Sequence, residues 1–151
     1  MELTSPAFKH GEKIPEKFTC DQDNINPELN ISGVPPYAAS LVLIMDDPDV
    51  PASVRPDCMW DHWLVFNIPP RTSRIPENSQ PKGVCGKNTA GELSYQGPCP
   101  PDKEHRYFFK LYALDIELSL RPGATKKEIE NAMEGHVMEE TELMGRYLRK
   151  S

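Results

Sequence analysis

The stretch Ser40–Pro51, "SLVLIMDDPDVP", sets the fold class. Leu41–Met45 is an unbroken apolar run that stops abruptly at "DDPDVP". Successive side chains of a strand point to opposite sides, so an apolar run with no polar alternation reads as a strand covered on both faces. Two further runs have the same character: His62–Ile68 "HWLVFNI", closed by "PPR", and Tyr107–Leu114 "YFFKLYAL". Glu28–Ser32 and Glu117–Leu120 are weaker strand candidates. The chain has 16 prolines in 151 residues, and they are dispersed. Dispersed proline punctuates short strands, whereas pooled proline makes a linker. These features predict one mainly β domain over residues 1–151, built from packed sheets.

The C-terminal quarter changes period. In "PGATKKEIENAMEGHVMEETELMGRYLRK", Thr125 followed by Glu128 matches the capping box that starts a helix. Ile129, Ala132, Met133 and Val137 follow at helical spacing, and Leu143, Met144, Tyr147 and Leu148 extend the apolar face beyond an interruption near Gly135. The spacing predicts one or two terminal helices on the β domain.

A formal net charge of -6 gives no basic footprint for nucleic acid and no general attraction to an anionic bilayer. Any anion must therefore be captured by a local site. Leu41–Met45 is the longest aliphatic run, far short of the roughly 20 residues that span a bilayer. The first residues, "MELTSPAFKHGEKIP", lack a basic segment followed by an apolar one, so a soluble cytoplasmic protein is expected. Cys20, Cys58, Cys85 and Cys99 form no C-x-x-C pair, and they are read as reduced thiols. Without a secretory route, the glycosylation pattern at Asn30–Ser32 is a chance match.

Four places combine polar groups with a constrained backbone. In "DDPDVP", Pro48 restricts Asp47 to extended conformations and so aims its carboxylate. In "MWDHW", strand alternation starting at His62 puts the imidazole on the face of Leu64 and Phe66, opposite Trp63 and Val65. In "HRY", His105 and Tyr107 share a face, while Arg106 points away and is expected to make a structural salt bridge. In "QGPCPPD", the prolines lack N–H groups, leaving the amides of Gln96, Gly97, Cys99 and Asp102 as donors for an anion-binding nest. Taken singly, Asp46–Pro51 also fits a sharp polar turn, and His62 a structural hydrogen-bonder.

Other chemistry is set aside. "GVCGKNT" lacks the glycine spacing and Lys-Ser/Thr step of a phosphate loop. Neither G-x-S-x-G nor H-E-x-x-H occurs. Asp47, His62 and His105 are too far apart in sequence to give local support to a metal site, and no cofactor is implied.

The four places, in this order, resemble the phosphatidylethanolamine-binding protein family, also called the Raf kinase inhibitor protein family, and most closely its bacterial branch. The resemblance runs from "SPAFKHGEKIPEKFTCD" through "NPELNISGVP", "LVLIMDDPDVP", "WDHWLVFNIP" and "GKNTAGELSYQGPCPPDKEHRYFFKLYALD" to "GHVMEETELMGRYLR". It implies an antiparallel β-sandwich with short peripheral helices and a small pocket for phosphate-like anions. Asp47, His62, His105 and Tyr107 would be its side chains, Gly97 and Cys99 would supply backbone amides, and Trp60 would form a wall. Cys99 stands where eukaryotic members have glycine, which would place a thiol near the mouth. Asp61 stands where some members have histidine, which would alter the rim.

What the resemblance implies is a non-enzymatic binding module for phosphorylated small molecules or protein segments. A protein kinase or phosphoprotein partner is implied by some relatives, and a homodimer by bacterial ones; no residue here identifies a kinase. Asp47 next to a phosphate is repulsive unless it holds a cationic histidine, takes a proton from a monoanionic phosphate, or meets an ammonium group. With few atoms in contact, affinity for a bare head group should be on the order of micromolar to millimolar. The alternative is a hydrolase or phosphate-transfer enzyme using His62 or His105 with Asp47, for which Cys99 is the one nucleophile nearby.

Overall fold

In the computed structural model, which describes residues 1–150, the three strong apolar runs lie side by side. β1 (Glu2–Thr4), β2 (Leu29–Ser32) and β5 (Arg74–Ile75) form a small antiparallel sheet in the order β1-β2-β5. β3 (Ser40–Asp47), β4 (Trp60–Ile68), β6 (Val84–Cys85), β7 (His105–Leu114) and β8 (Val137–Tyr147) form the second, in the order β6-β4-β3-β7-β8. All its pairings are antiparallel.

β3 is buried along its whole length, because both its faces are covered. Leu41, Leu43 and Met45 pack with Trp63, Val65, Phe109 and Leu111 against Leu3, Leu29, Ile31 and Ile75 of the smaller sheet. Val42 and Ile44 turn the other way and pack with Leu64, Phe66, Ile129 and Met133 under α1 (Lys126–Met133). The helix starts with the expected capping box: the Glu128 N–H donates to Thr125 Oγ1, and the Glu128 carboxylate accepts from the Thr125 N–H.

The expected continuation of that helix is corrected: Val137–Tyr147 is the edge strand β8, paired with β7. Leu143 and Tyr147 are four apart, a spacing that both helical and strand periods satisfy. The decisive residue is Gly145 between them. A Cβ there would lie 2.4 Å from Ile14 Cγ1 and 2.8 Å from a Phe8 ring carbon, so the strand's inward face is Leu143, Gly145 and Tyr147 at period two. Gly135, with φ of 82°, turns the chain between α1 and β8. Glu117–Leu120 is no strand either. Its backbone is held by the Asn67 side chain, which accepts from the Leu118 N–H at 2.7 Å and donates to the Leu118 carbonyl at 2.8 Å.

Candidate functional site

The site lies where β3 ends and β7 begins. A cavity of about 230 Å³ opens there, and its lining includes the seven residues that the family resemblance assigns to the pocket: Asp47, Trp60, His62, Gly97, Cys99, His105 and Tyr107. Val50, Val54, Pro100 and Pro101 give it apolar walls. Asp47 pairs in register with Trp60 across β3 and β4, and His105 and Tyr107 share the inward face of β7.

His62 reaches the cavity by a route simple alternation does not foresee. Met45 pairs with Trp63, but the next residue, Asp46, pairs with Asp61, so His62 is the extra residue of a β-bulge. Its imidazole therefore lies on the side of Trp63 and Val65, not with Leu64 and Phe66 as the period-two reading had it. The bulge also turns Asp61 to the opposite face of the sheet, where Asp46 lies by the ordinary alternation of β3. Lys126 of α1 lies 3.2 Å from Asp46 Oδ2 and 2.7 Å from Asp61 Oδ1, and Lys110 lies 3.1 Å from Asp46 Oδ2. Asp61 is thus an anchor for α1 rather than a rim residue.

The polar floor of the cavity is defined by its hydrogen bonds. His62 Nδ1 is 2.6 Å from the Gln96 carbonyl, which can only accept, so Nδ1 carries the proton. Burial lowers the His62 pKa to about 4, so the ring is neutral at physiological pH and Nε2 is an acceptor. His105 is gripped at both nitrogens: Nδ1 is 2.6 Å from Asp47 Oδ2 and Nε2 is 2.7 Å from Asp102 Oδ1. Burial works against an imidazolium here, yet the two carboxylates outweigh it and raise the His105 pKa. Burial also raises the Asp47 pKa, opposed by the His105 hydrogen bond. Asp47 Oδ1 accepts the Asp49 N–H at 2.7 Å across Pro48, which fixes the carboxylate's direction. The Tyr107 hydroxyl is buried and has no hydrogen-bond partner among the described residues.

Two expectations for the proline-rich loop are corrected. The Gly97 N–H is not free for a ligand, because it donates to Asn24 Oδ1 at 2.8 Å; the Gln96 N–H goes to the His62 carbonyl at 3.1 Å. Glycine is needed at position 97 for close approach, since a Cβ would sit 2.2 Å from the Phe18 carbonyl oxygen. The Cys99 N–H keeps no hydrogen bond among the described residues. Second, Cys20 and Cys99 form a disulfide across 79 residues, so Cys99 brings no free thiol to the mouth; Cys58 and Cys85 are the free cysteines. Two cysteines so far apart in sequence meet only because the fold brings residues 18–24 against the loop. That junction also holds the Tyr95 hydroxyl on the Phe18 carbonyl at 2.8 Å and the Cys20 N–H on the Pro98 carbonyl at 3.1 Å. The bond corrects the reading of Cys20 and Cys99 as reduced thiols.

Arg106 makes its expected ion pair away from the cavity. Its Nε and Nη2 lie 2.9 and 2.8 Å from the two oxygens of Asp49, tying the "DPD" turn to the start of β7. Trp60 Nε1 donates to Gln96 Oε1 at 2.8 Å, which fixes the indole as a wall. Asp102 and Asn24 were not foreseen as partners of site groups. The spacing of Asp102 and His105, i and i+3, was visible in the sequence; nothing local pointed to Asn24. Among the described residues no three His, Cys, Asp or Glu side chains form a group able to hold a metal ion, and no helix is long and apolar enough to cross a membrane.

Comparison with known proteins places this geometry in context. Residues 4–148 match the family model described as phosphatidylethanolamine-binding protein. A Chlamydia trachomatis protein designated UPF0098 is 52% identical over 147 residues, covering 97% of this chain and 98% of that protein. A UPF0098 protein of Methanothermobacter thermautotrophicus is 49% identical over 155 residues, covering 99% of each. Among solved structures, a phosphatidylethanolamine-binding protein homolog from Chlamydia trachomatis superposes with a TM-score of 0.95 at 51% identity, covering 98% of this chain and 97% of that one. Escherichia coli YbcL, described as a member of the mammalian family, superposes with a TM-score of 0.88 at 28% identity, covering 99% and 98%.

Proposed function

The chain belongs to the phosphatidylethanolamine-binding protein family, and from that premise we propose that its cavity binds small phosphate monoesters in their singly protonated form, as a non-enzymatic recognition site. The observation that carries this reading is the Tyr107 hydroxyl, buried without a hydrogen-bond partner among the described residues, between the imidazole of His62 and that of His105, which faces a carboxylate at each nitrogen. An unsatisfied buried hydroxyl costs about 1–3 kcal/mol, which a ligand oxygen would offset.

The donor and acceptor inventory narrows the ligand. Tyr107, the Cys99 N–H and the His105 imidazolium suit the unprotonated oxygens of a phosphate. His62 Nε2 is an acceptor and needs a proton from the ligand. A phosphate monoanion supplies that P–OH, whereas sulfate carries no proton at neutral pH. The ester substituent would leave past Trp60, Val50 and Pro101. A phosphoethanolamine head group falls in this class, and so does a phosphorylated protein segment, which would deliver the same chemistry on a macromolecule. Kinase regulation is the narrower form of that second case. The enzyme alternative through His62 or His105 with Asp47 has lost Cys99 as a thiol nucleophile.

Titration calorimetry with inorganic phosphate, O-phosphoethanolamine and sulfate tests the proposal. Phosphate and phosphoethanolamine should bind in the micromolar to millimolar range and sulfate at least about tenfold more weakly. For O-phosphoethanolamine, a monoester with a second pKa near 6, affinity should fall by up to about fiftyfold between pH 6 and pH 8 as the monoanion disappears. Equal affinity for sulfate, or unchanged phosphate binding by Tyr107→Phe, would refute it. Phosphate release from a panel of phosphoesters would establish the enzyme instead.

A further inference from the structure

We propose that Asp102 is a built-in competitor for the anion site: its carboxylate occupies the second nitrogen of His105, and a ligand must displace it to reach the imidazole. This inference rests on the phosphate reading above and assigns a specificity role to a residue outside it.

The geometry separates the two carboxylates that hold His105. Asp47 is buried, its side chain 4% exposed, and its Oδ1 is tied to the Asp49 amide, so it cannot leave Nδ1 without dismantling the turn at Pro48. Asp102 holds Nε2 at 2.7 Å from a side chain that is 40% exposed, on the loop at the cavity mouth. Its backbone is not free to withdraw. Pro100 and Pro101 precede it, and Cys99 is bonded to Cys20. Displacement is therefore a swing of the Asp102 side chain into solvent, with the loop staying in place.

An internal carboxylate is an effective filter because it sets the standard an incoming anion must exceed. A simple carboxylate offers His105 the same two-oxygen group that Asp102 already presents, without the advantage of being tethered. It gains little by the exchange. A phosphate monoester brings further oxygens that reach the Tyr107 hydroxyl and the Cys99 amide while one replaces Asp102 on Nε2, and its own P–OH satisfies His62. Asp102 thus selects tetrahedral oxyanions over carboxylates, and it weakens phosphate binding as the cost of that selectivity.

The test compares wild type with Asp102→Ala and Asp102→Asn by titration calorimetry against inorganic phosphate, O-phosphoethanolamine and acetate. NMR titration of the His105 ring is followed in parallel. Asp102→Ala should tighten phosphate and phosphoethanolamine binding on the order of tenfold and bring acetate into measurable range. Asp102→Asn keeps an oxygen near Nε2 without the charge, and it should fall between. In the absence of ligand both variants should lower the midpoint of His105 titration; an unmoved midpoint would show that the contact is not made in solution and overturn the proposal. If wild type binds phosphate and the variants bind it equally or more weakly, Asp102 is a scaffold and this inference fails while the pocket reading stands. If no variant binds any phosphate compound, both fail.

Discussion

Breaking the Cys20–Cys99 bond should lower stability severely while leaving the cavity almost intact. The bond closes a loop of 79 residues. The chain-entropy relation for a cross-link across about 80 residues gives about 4.5 kcal/mol at 25 °C, nearly all of it through restriction of the unfolded chain. In a domain of this size each kcal/mol moves the melting temperature by about 2–4 °C, so the loss corresponds to roughly 9–18 °C. The folded loop, by contrast, keeps its other attachments: Gly97 to Asn24, Tyr95 to the Phe18 carbonyl and Cys20 to the Pro98 carbonyl. A Cys20→Ser/Cys99→Ser double variant should therefore bind phosphate within about threefold of wild type. Differential scanning calorimetry and thiol titration, which should count two free cysteines in the native protein out of four, provide the assay. A melting point that moves by less than about 3 °C would refute the entropic argument. Loss of binding with little loss of stability would show that the bond shapes the native pocket instead.

The remaining predictions concern residues whose roles the geometry separates. Gly97→Ala should destabilise by about 3 kcal/mol in urea denaturation, because the new Cβ meets the fixed backbone of Phe18 and Thr19 as well as the Asn24 side chain that holds the Gly97 N–H. Arg106→Ala breaks a bidentate pair with Asp49 that is half exposed, so it should cost only about 1 kcal/mol in the same assay. It should leave phosphate affinity unchanged, whereas His105→Ala should abolish binding. His105 also predicts a pH slope. Its folded pKa is raised, so the stability it contributes is fully present below its unfolded value of 6.5 and is lost as pH rises through the folded one. Melting temperature should decline upward from pH 6.5, and His105→Gln should flatten that decline; Asp47, raised from 3.8, has the same sign but begins acting at lower pH.

Much of this was legible in the sequence because it depends on short-range rules. β3, β4 and β7 follow from short runs rich in apolar, β-branched and aromatic residues, the first two closed by proline turns, and the start of α1 from Thr125 and Glu128. The assembly of Asp47, His62, His105 and Tyr107 into one cavity could be seen only through the family resemblance, since no local spacing joins them. What escaped was decided by tertiary contacts. The segment of β8 reads as helix because Leu143 and Tyr147 satisfy either period, and only the space taken up by Ile14 and Phe8 fixes Gly145 between them as an inward position. The disulfide and the Asn24 bond to Gly97 join segments more than 70 residues apart, for which the local sequence carries no signal.

The bulge at His62 explains why two adjacent pairs of polar residues serve two different faces. Without it, Asp46–Asp47 and Asp61–His62 would alternate in step, and His62 would sit with Leu64 and Phe66 under α1. With the extra residue, Asp47 and His62 both reach the cavity, while Asp46 and Asp61 meet Lys126 behind the sheet. The two faces are not independent. Lys126 is the first residue of α1, so the ion pairs that anchor the helix also hold both strands at the irregular point where His62 is turned. Burial penalises the Lys126 ammonium, yet Asp61 and Asp46 more than compensate and raise its pKa. The Lys126 ammonium thus stays charged through the pH range in which His105 titrates, and its contacts to both strands are kept. The cavity can change its proton count without losing the backbone distortion that forms it.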